Sequence, residues 1–404
     1  MHDLQPAPFP GYTVAEMHHW HVVSEHRNVE EGGPLSHYYY LHTAQFERQA
    51  VIHRDGPIAE LPVALDAALG ARPVDSRLGP LTLDAYVAHP ESGVDGVIVL
   101  RGGTIVYETY PRMRLVDRHH FMSVSKPFAS LLIAILAARG RIDVSQPVER
   151  YLPELTGSGW EGSPVQDILD MASGIDCREG EALASGDPSL PYNQYAACHG
   201  KFEPSTYQFV AQLKRSRPSG EAFEYTSADT FVLGWLAERI TGLPYNELVS
   251  QEIWSKIGAE ADAAVAISPA GAPVSCGGLS GRLRDLARFG LLFTPSRTTD
   301  DVVPPGYLDL VQRGGRPEVF RATRDSEYFR DTYRDDPPLT NSWQWDAVWP
   351  DGDFYKGGFH GQGLHVSPSR DLVIAFFGTP FEQGAPVNEL RGMAREITAQ
   401  STTG

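Results

Sequence analysis

Lysine is scarce in this chain, and cysteine scarcer. Of 404 residues, five are lysines (Lys126, Lys201, Lys214, Lys256 and Lys356) and three are cysteines. Lys and Arg together number 34 against 51 Asp and Glu, a net charge of −17. Affinity for a polyanion comes mainly from neutralising phosphates, so this balance argues against nucleic acid and against an anionic membrane surface as partners. Cys177, Cys198 and Cys276 are odd in number and widely spaced. A disulfide framework is therefore not expected, no C-x-x-C metal or redox motif exists, and a reducing cytoplasm is the expected location. No apolar run reaches the ~18–20 residues of a membrane span. The longest, Phe128 to Ala138, has the length of a core helix. The opening MHDLQPAPFPGYTV has neither a basic head nor an apolar stretch, so no secretory leader is expected. Also missing are a G-x-S-x-G nucleophile elbow, an H-E-x-x-H zinc helix and a Walker or Rossmann glycine loop.

What is present reads as a globular chain with a large core: 42% apolar and 21% charged residues. Residues 1–58 are rich in aromatics and histidine (HHWH at 18–21, HYYY at 37–40). They lack the H-x-x-x-H spacing of a metal site and are expected to form an arm wrapped on a domain. Leu61–Leu69 reads as a helix. Gly96–Tyr110 reads as a hairpin turning at Arg101-Gly102-Gly103. A helical block follows. Val124–Arg139 is closed by Gly140, and a helix starts at Ser163-Pro164 with Ser as cap and Pro in the first turn. Thr206–Lys214, Ala228–Ile240 and Tyr245–Ile257 continue the block, with amphipathic Arg282–Phe293 at its end. Strand character returns in Phe354–Val366 and in LVIAFFG after the turn Ser367–Asp371, and Asn388–Ala399 closes as a helix. This order implies one sheet drawn from both ends of the chain with a helical insertion. The expected parts are an arm (1–58), an α/β sheet domain (59–120 and 295–404) and a helical domain (121–294), with the site in the cleft between the last two.

Only one lysine has a serine three residues before it: Ser123-Val124-Ser125-Lys126, at the start of the most apolar helix. At i and i+3 the two side chains share a helix face. A helix start also offers free N–H groups and the positive dipole end, and Pro127 suits a first turn. A serine hydroxyl becomes a nucleophile only when a neighbour takes its proton. Lysine can do so where burial or a nearby cation lowers its pKa from about 10.4.

The segment FMSVSKPFASLLIAILAARGRIDVSQPVERYLPEL, followed by DILDMASGID, resembles the serine β-lactamase and penicillin-recognising superfamily. It is most similar to the class C branch with its carboxylesterases, D-aminopeptidases and 6-aminohexanoate-dimer hydrolases. The superfamily carries S-x-x-K, then Tyr-x-Asn or Ser-x-Asn, then Lys-Thr-Gly or a relative. The second signature matches as Tyr225-Thr226-Ser227 and the third as Lys356-Gly357-Gly358; GGLSGRLRDLARFG at 277–290 matches a further segment. The resemblance covers roughly residues 95–380. It implies a mixed antiparallel sheet with flanking helices plus a mostly helical domain, of α+β type. It also implies acyl transfer on a small-molecule amide or ester, without metal or cofactor.

By the same resemblance, Ser123 would be the acylated nucleophile and Lys126 its base. Tyr225 would be the second acid–base. Lys356 would keep the field positive, favour a Tyr225 phenolate and hold a substrate carboxylate. The N–H groups of Ser123 and Phe359 would form the oxyanion hole, each donor contributing about 3 kcal/mol. Gly357 and Gly358 would let substrate lie against the strand or mark a bulge, and His360 would share the face of Lys356. Three departures stand out. Ser227 replaces the Asn that binds a lactam's side-chain amide, Gly357 replaces a hydroxyl residue, and an ungapped count sets Glu181 where the dimer hydrolases have a second tyrosine. Tyr192 and Tyr195 are other candidates for that place. The same machinery also serves an acyltransferase or a penicillin-binding protein that acylates and stalls. The sequence is silent on oligomeric state.

Overall fold

The computed structural model describes residues 9–25, 28–321, 323–333 and 336–400. The first eight residues, on which the expectation about a leader rests, lie outside them. The β-branched run at 94–109 folds as the expected hairpin: β1 (Val94–Arg101) pairs antiparallel with β2 (Thr104–Thr109). Gly102 and Gly103 have φ of 56° and 70°, the left-handed pair a two-residue turn requires. Five later strands complete the sheet: β3 (Thr340–Ser342), β4 (Trp345–Val348), β5 (Phe354–Gly358), β6 (Gln362–Ser367) and β7 (Leu372–Gly378). The order is β2-β1-β7-β6-β5-β4-β3, all antiparallel. The last strand thus sits beside the first, with Leu372 opposite Arg101 and Phe376 opposite Val97.

Six helices matter for the site: α1 (Lys126–Ala138), α2 (Glu179–Ser185), α3 (Ser227–Thr241), α4 (Leu283–Leu291), α5 (Arg324–Thr332) and α6 (Leu390–Gln400). The sheet is buried on both faces, and residues alternate between them with period two. Val97, Val99, Ile374 and Phe376 share a core with Leu390, Met393 and Ile397 of α6. Ile98, Leu100, Val373 and Phe377 share the other core with Leu286 and Phe289 of α4 and with α1. Helix α1 is buried around its circumference, as a uniformly apolar helix must be, and α3 packs on it.

Helix α4 lies directly on the sheet. A Cβ on its Gly290 would stand 2.6 Å from Val373 Cγ1, so glycine sets how closely helix and strand approach. Leu61–Leu69 is not a helix. The unpaired edge of β2 captures its backbone: Ile105 N–H donates to Pro62 O, and the N–H groups of Ala64 and Asp66 donate to Ile105 O and Val106 O (2.8–2.9 Å). Only Ala67–Gly70 coils, capped by Asp66. Ser163 is not a cap either. Its hydroxyl accepts from Arg215 at 2.7 Å, Pro164 caps the helix, and that helix is confined to Val165–Leu169.

The sequence reading missed a second sheet, because its strands have four residues or fewer. It runs Gln49–Ile52, Ala263–Ala266, Leu279–Gly281, His119–His120 in spatial order. It ties the N-terminal arm to the body and ends three residues before Ser123.

Candidate active site

The turn that carries Ser123 is clamped by this small sheet. Phe121 N–H donates to Leu279 O at 2.8 Å, and Leu279 N–H donates to Ser125 Oγ at 3.1 Å. Between them Met122 is forced to φ 49°, a left-handed conformation that costs a non-glycine residue energy and recurs at functional sites. Ser123 sits in a single 3₁₀ turn, Met122–Ser125, ahead of α1 rather than on the α-helix itself. Lys126 opens α1 and is fully buried. Its Nζ lies 3.1 Å from Ser123 Oγ, 2.8 Å from Ser227 Oγ and 2.7 Å from Cys276 O. Three acceptors for one amine fix its position completely.

Helix α3 brings the second motif. Tyr225 precedes it, held by its N–H to Asp325 Oδ2 of α5 at 2.7 Å. Its phenol receives a hydrogen bond from Lys356 Nζ at 2.9 Å, and Tyr225 lines the same cleft as Ser123. The Lys126 and Lys356 amines lie 5.2 and 4.6 Å from the Tyr225 ring centroid. Ser227, which stands where the lactam-binding Asn would be, meets Lys126 with its hydroxyl. Its N–H donates to the buried carboxylate of Glu179.

Lys356 reaches the cluster from β5. The register that sets Ala347 opposite Tyr355 brings Asp346 of β4 beside it. The Lys356 ammonium makes a short ion pair with Asp346, and Gly357 N–H donates to the other carboxylate oxygen at 2.9 Å. Burial lowers Lys356 to a pKa of about 8, against the opposing pull of Asp346. Two expectations are corrected here. Burial first, then the charges of Asp346 and Glu179, push Tyr225 well above its ordinary value, so the resting group is a phenol and not a phenolate. Lys356 is fully buried, donates to Asp346 and Tyr225, and is not among the residues that line the cleft, so its ammonium is not presented to a substrate carboxylate. Removing one partner of a buried ion pair strands the other, so Asp346→Asn should destabilise the protein by about 3–5 kcal/mol in chemical denaturation. A loss below about 1 kcal/mol, the range of exposed pairs, would show that the pair is not buried in solution.

Ser123, Tyr225, Gly357, Gly358, Phe359 and His360 line one cleft of about 480 Å³. The hairpin holds regular register through Gly357 and Gly358, opposite Gly363 and Gln362, so the paired glycines mark no bulge. A Cβ on Gly358 would stand 2.7 Å from Phe121 O; the glycine lets the strand pass this close to the nucleophile turn. Phe359 and His360 lie in the turn beyond β5. His360 is therefore not on the strand face of Lys356. It adopts φ 65°, stacks on Phe359 at 4.0 Å, and its Nδ1 lies 3.2 Å from the Tyr40 hydroxyl of the arm. Burial lowers His360 to a pKa of about 4, so the ring is neutral and shares a hydrogen bond with the Tyr40 hydroxyl. The arm thereby braces the turn that carries the Phe359 N–H.

Glu181 does not reach the cleft. It is exposed and lies 4.0 Å from Arg178, whereas Glu179, two residues earlier, lines the cleft and touches Ser227. Tyr195 hydrogen-bonds Cys276 Sγ at 3.3 Å, and Tyr192 borders a second cavity behind Ser123. The sequence reading missed Asp346, Glu179 and Tyr40. The one local signal was an acid, Asp346, inside the apolar run WQWDAVW.

A β-lactamase family model matches residues 83–396. The chain is 31% identical over 383 residues to a 6-aminohexanoate-dimer hydrolase of Paenarthrobacter ureafaciens, covering 91% of this chain and 90% of that protein. A Bacillus anthracis structure assigned as a 6-aminohexanoate-dimer hydrolase superposes with a TM-score of 0.69 at 23% identity, covering 92% of this chain and 96% of that one. A family VIII carboxylesterase superposes at 0.56 and 16%, covering 79% and 96%. The two structures establish a common fold: an antiparallel sheet with flanking helices and a helical part beside it.

Proposed function

The chain belongs to the β-lactamase family, and we propose that within it the protein is a serine hydrolase of small linear amides, with esters as alternative substrates, acting through an acyl-enzyme on Ser123. The observation that carries this reading is the convergence of Lys126 Nζ, 3.1 Å from Ser123 Oγ, and of Tyr225, bonded to Lys356 Nζ at 2.9 Å, around Ser123 in one cleft. Lys126 Nζ, anchored by Ser227 Oγ and Cys276 O, lies within hydrogen-bond reach of Ser123 Oγ and is placed to take its proton. Ser123 Oγ then adds to the substrate carbonyl as its proton passes to Lys126. The oxygen charge falls to the N–H groups of Ser123 and Phe359. The Tyr225 phenol protonates the departing nitrogen or oxygen and recovers its proton from Lys126. The carbon–nitrogen or carbon–oxygen bond breaks, leaving an ester on Ser123. Water reverses the sequence and releases the acid. Lys356, neutralised by Asp346, orients the phenol and steadies the charge that builds on it.

The amide preference rests on the similarity, along nearly the whole chain, to a hydrolase of an aminohexanoate dimer. The replacement of the lactam-binding Asn by Ser227, whose hydroxyl is committed to Lys126, speaks against lactams. Among the described residues no helix is long and apolar enough to cross a membrane. Three unpaired, buried thiols suit a cytoplasmic location. A panel of linear anilides, p-nitrophenyl esters and a chromogenic cephalosporin tests the substrate class. Turnover of anilides and esters without turnover of the lactam supports the reading, and the lactam as best substrate overturns it.

A further inference from the structure

Helix α2 opens with a buried carboxylate that the proton relay above leaves unused. Glu179 is 8% exposed, and among the described residues it makes no ion pair. Its neighbour Arg178 pairs instead with Glu224 at 3.1 Å. Glu179 Oε1 accepts the Ser227 N–H in the first turn of α3, where Thr226 supplies no side-chain cap. Glu179 thus caps α3 from another helix. That duty needs an oxygen and not a charge: uncharged Ser and Asn cap as well as Asp. A buried carboxylate without a partner ion is costly, so capping alone does not account for the charge.

Across Ser227 stands Lys126. Ser227 Oγ accepts from Lys126 Nζ at 2.8 Å while its N–H serves Glu179, so one residue joins amine and carboxylate. Burial raises the Glu179 carboxyl above its ordinary range, and the charge of Lys126, ahead of that of Lys356, pulls the other way. The Lys356 charge is matched by Asp346. Lys126 has neutral oxygens around it, those of Ser123, Ser227 and Cys276, and among the described residues no carboxylate in contact. As the Ser123 O–H bond breaks and its proton moves to Lys126, a buried ammonium forms there. Glu179 is the unpaired negative charge beside it. Behind burial and Asp346, Glu179 also helps to hold Tyr225 as a phenol. Both effects keep a proton at hand for the leaving group.

We propose that Glu179 is the counterion of the Lys126 base, a positioning residue whose charge acts across Ser227 to stabilise the ammonium that forms as Ser123 attacks. This rests on the hydrolase reading above and adds a buried carboxylate to its proton relay.

Glu179→Gln tests it in the full chain. The amide keeps an oxygen for the Ser227 N–H and nearly the same shape, and loses the charge. With p-nitrophenyl acetate, kcat should fall about tenfold or more while KM changes less than about threefold, because the charge acts on proton transfer and not on binding. Glu179→Asp keeps the charge on a shorter stem. Its kcat should stand at least about fivefold above that of Glu179→Gln. Rates are taken per folded chain, measured by circular dichroism, so a loss of folded enzyme cancels. A Glu179→Gln kcat within about threefold of wild type, a loss carried by KM alone, or a Glu179→Asp enzyme no faster than Glu179→Gln overturns the counterion and leaves the hydrolase reading intact. Absence of wild-type turnover on p-nitrophenyl acetate and on linear anilides overturns both.

Discussion

Ser123→Ala should abolish hydrolysis. Removing the nucleophile from an acyl-transfer site costs about 10⁴–10⁶-fold in kcat, since only oxyanion and binding contributions survive. The Ser123 hydroxyl lies at the border of the cleft, and its loss removes one acceptor from Lys126 without breaking a strand or helix. The fold should therefore survive, with an unchanged far-ultraviolet spectrum. Hydrolysis of p-nitrophenyl acetate and labelling by a fluorophosphonate probe should vanish together. Labelling of the mutant at wild-type stoichiometry would place the nucleophile elsewhere.

Tyr225→Phe should lower kcat by about 10²–10⁴-fold, the range of one acid–base group, with a small change in KM. The ring keeps its packing and the two amines keep their distance; what goes is the proton that reaches the leaving group. The direction of the pKa shifts supplies a second readout. Tyr225 is a phenol throughout the working range, so its own ionisation shapes no limb there. Lys356, lowered to about 8, carries its charge below that pH and loses it above. The charge steadies the negative oxygen that forms transiently on Tyr225. Wild-type kcat/KM should accordingly fall as pH rises through about 8, and in Tyr225→Phe this limb should flatten. A loss in kcat under about threefold would make the tyrosine structural. A wild-type profile that stays level well above pH 8 would contradict the role given to Lys356.

Legibility in the sequence followed distance along the chain. The hairpin at 94–109 and helices α1, α3 and α4 declare themselves through local periodicity, and Ser123 and Lys126 are three residues apart. Tyr225 and Lys356 are legible only through resemblance, because nothing local says that a tyrosine before one helix meets a lysine on a distant strand. Asp346 owes its role to the pairing of β4 with β5, and that register is fixed by the whole sheet. Glu181 shows how a count without structure errs. The count reaches the right loop, but Glu179 and Glu181 begin a helix, and at about 100° per residue the two point about 200° apart. Only the earlier one faces Ser227. Leu61–Leu69 erred for another reason: its apolar spacing suits a helix, yet a vacant sheet edge offered its N–H and C=O groups better partners. The arm escaped altogether. Its aromatic and histidine content signalled packing, while its contact with the site, through Tyr40, arises from one short helix.

The central claim is that an acyl group passes through Ser123. Rapid acid quench of the wild-type enzyme with p-nitrophenyl acetate, followed by peptide mass spectrometry, reads this directly. The account predicts one acetyl group per chain, located on Ser123 and absent from Ser123→Ala. An adduct on another residue, or rapid turnover with no adduct trapped under any quench, would contradict it.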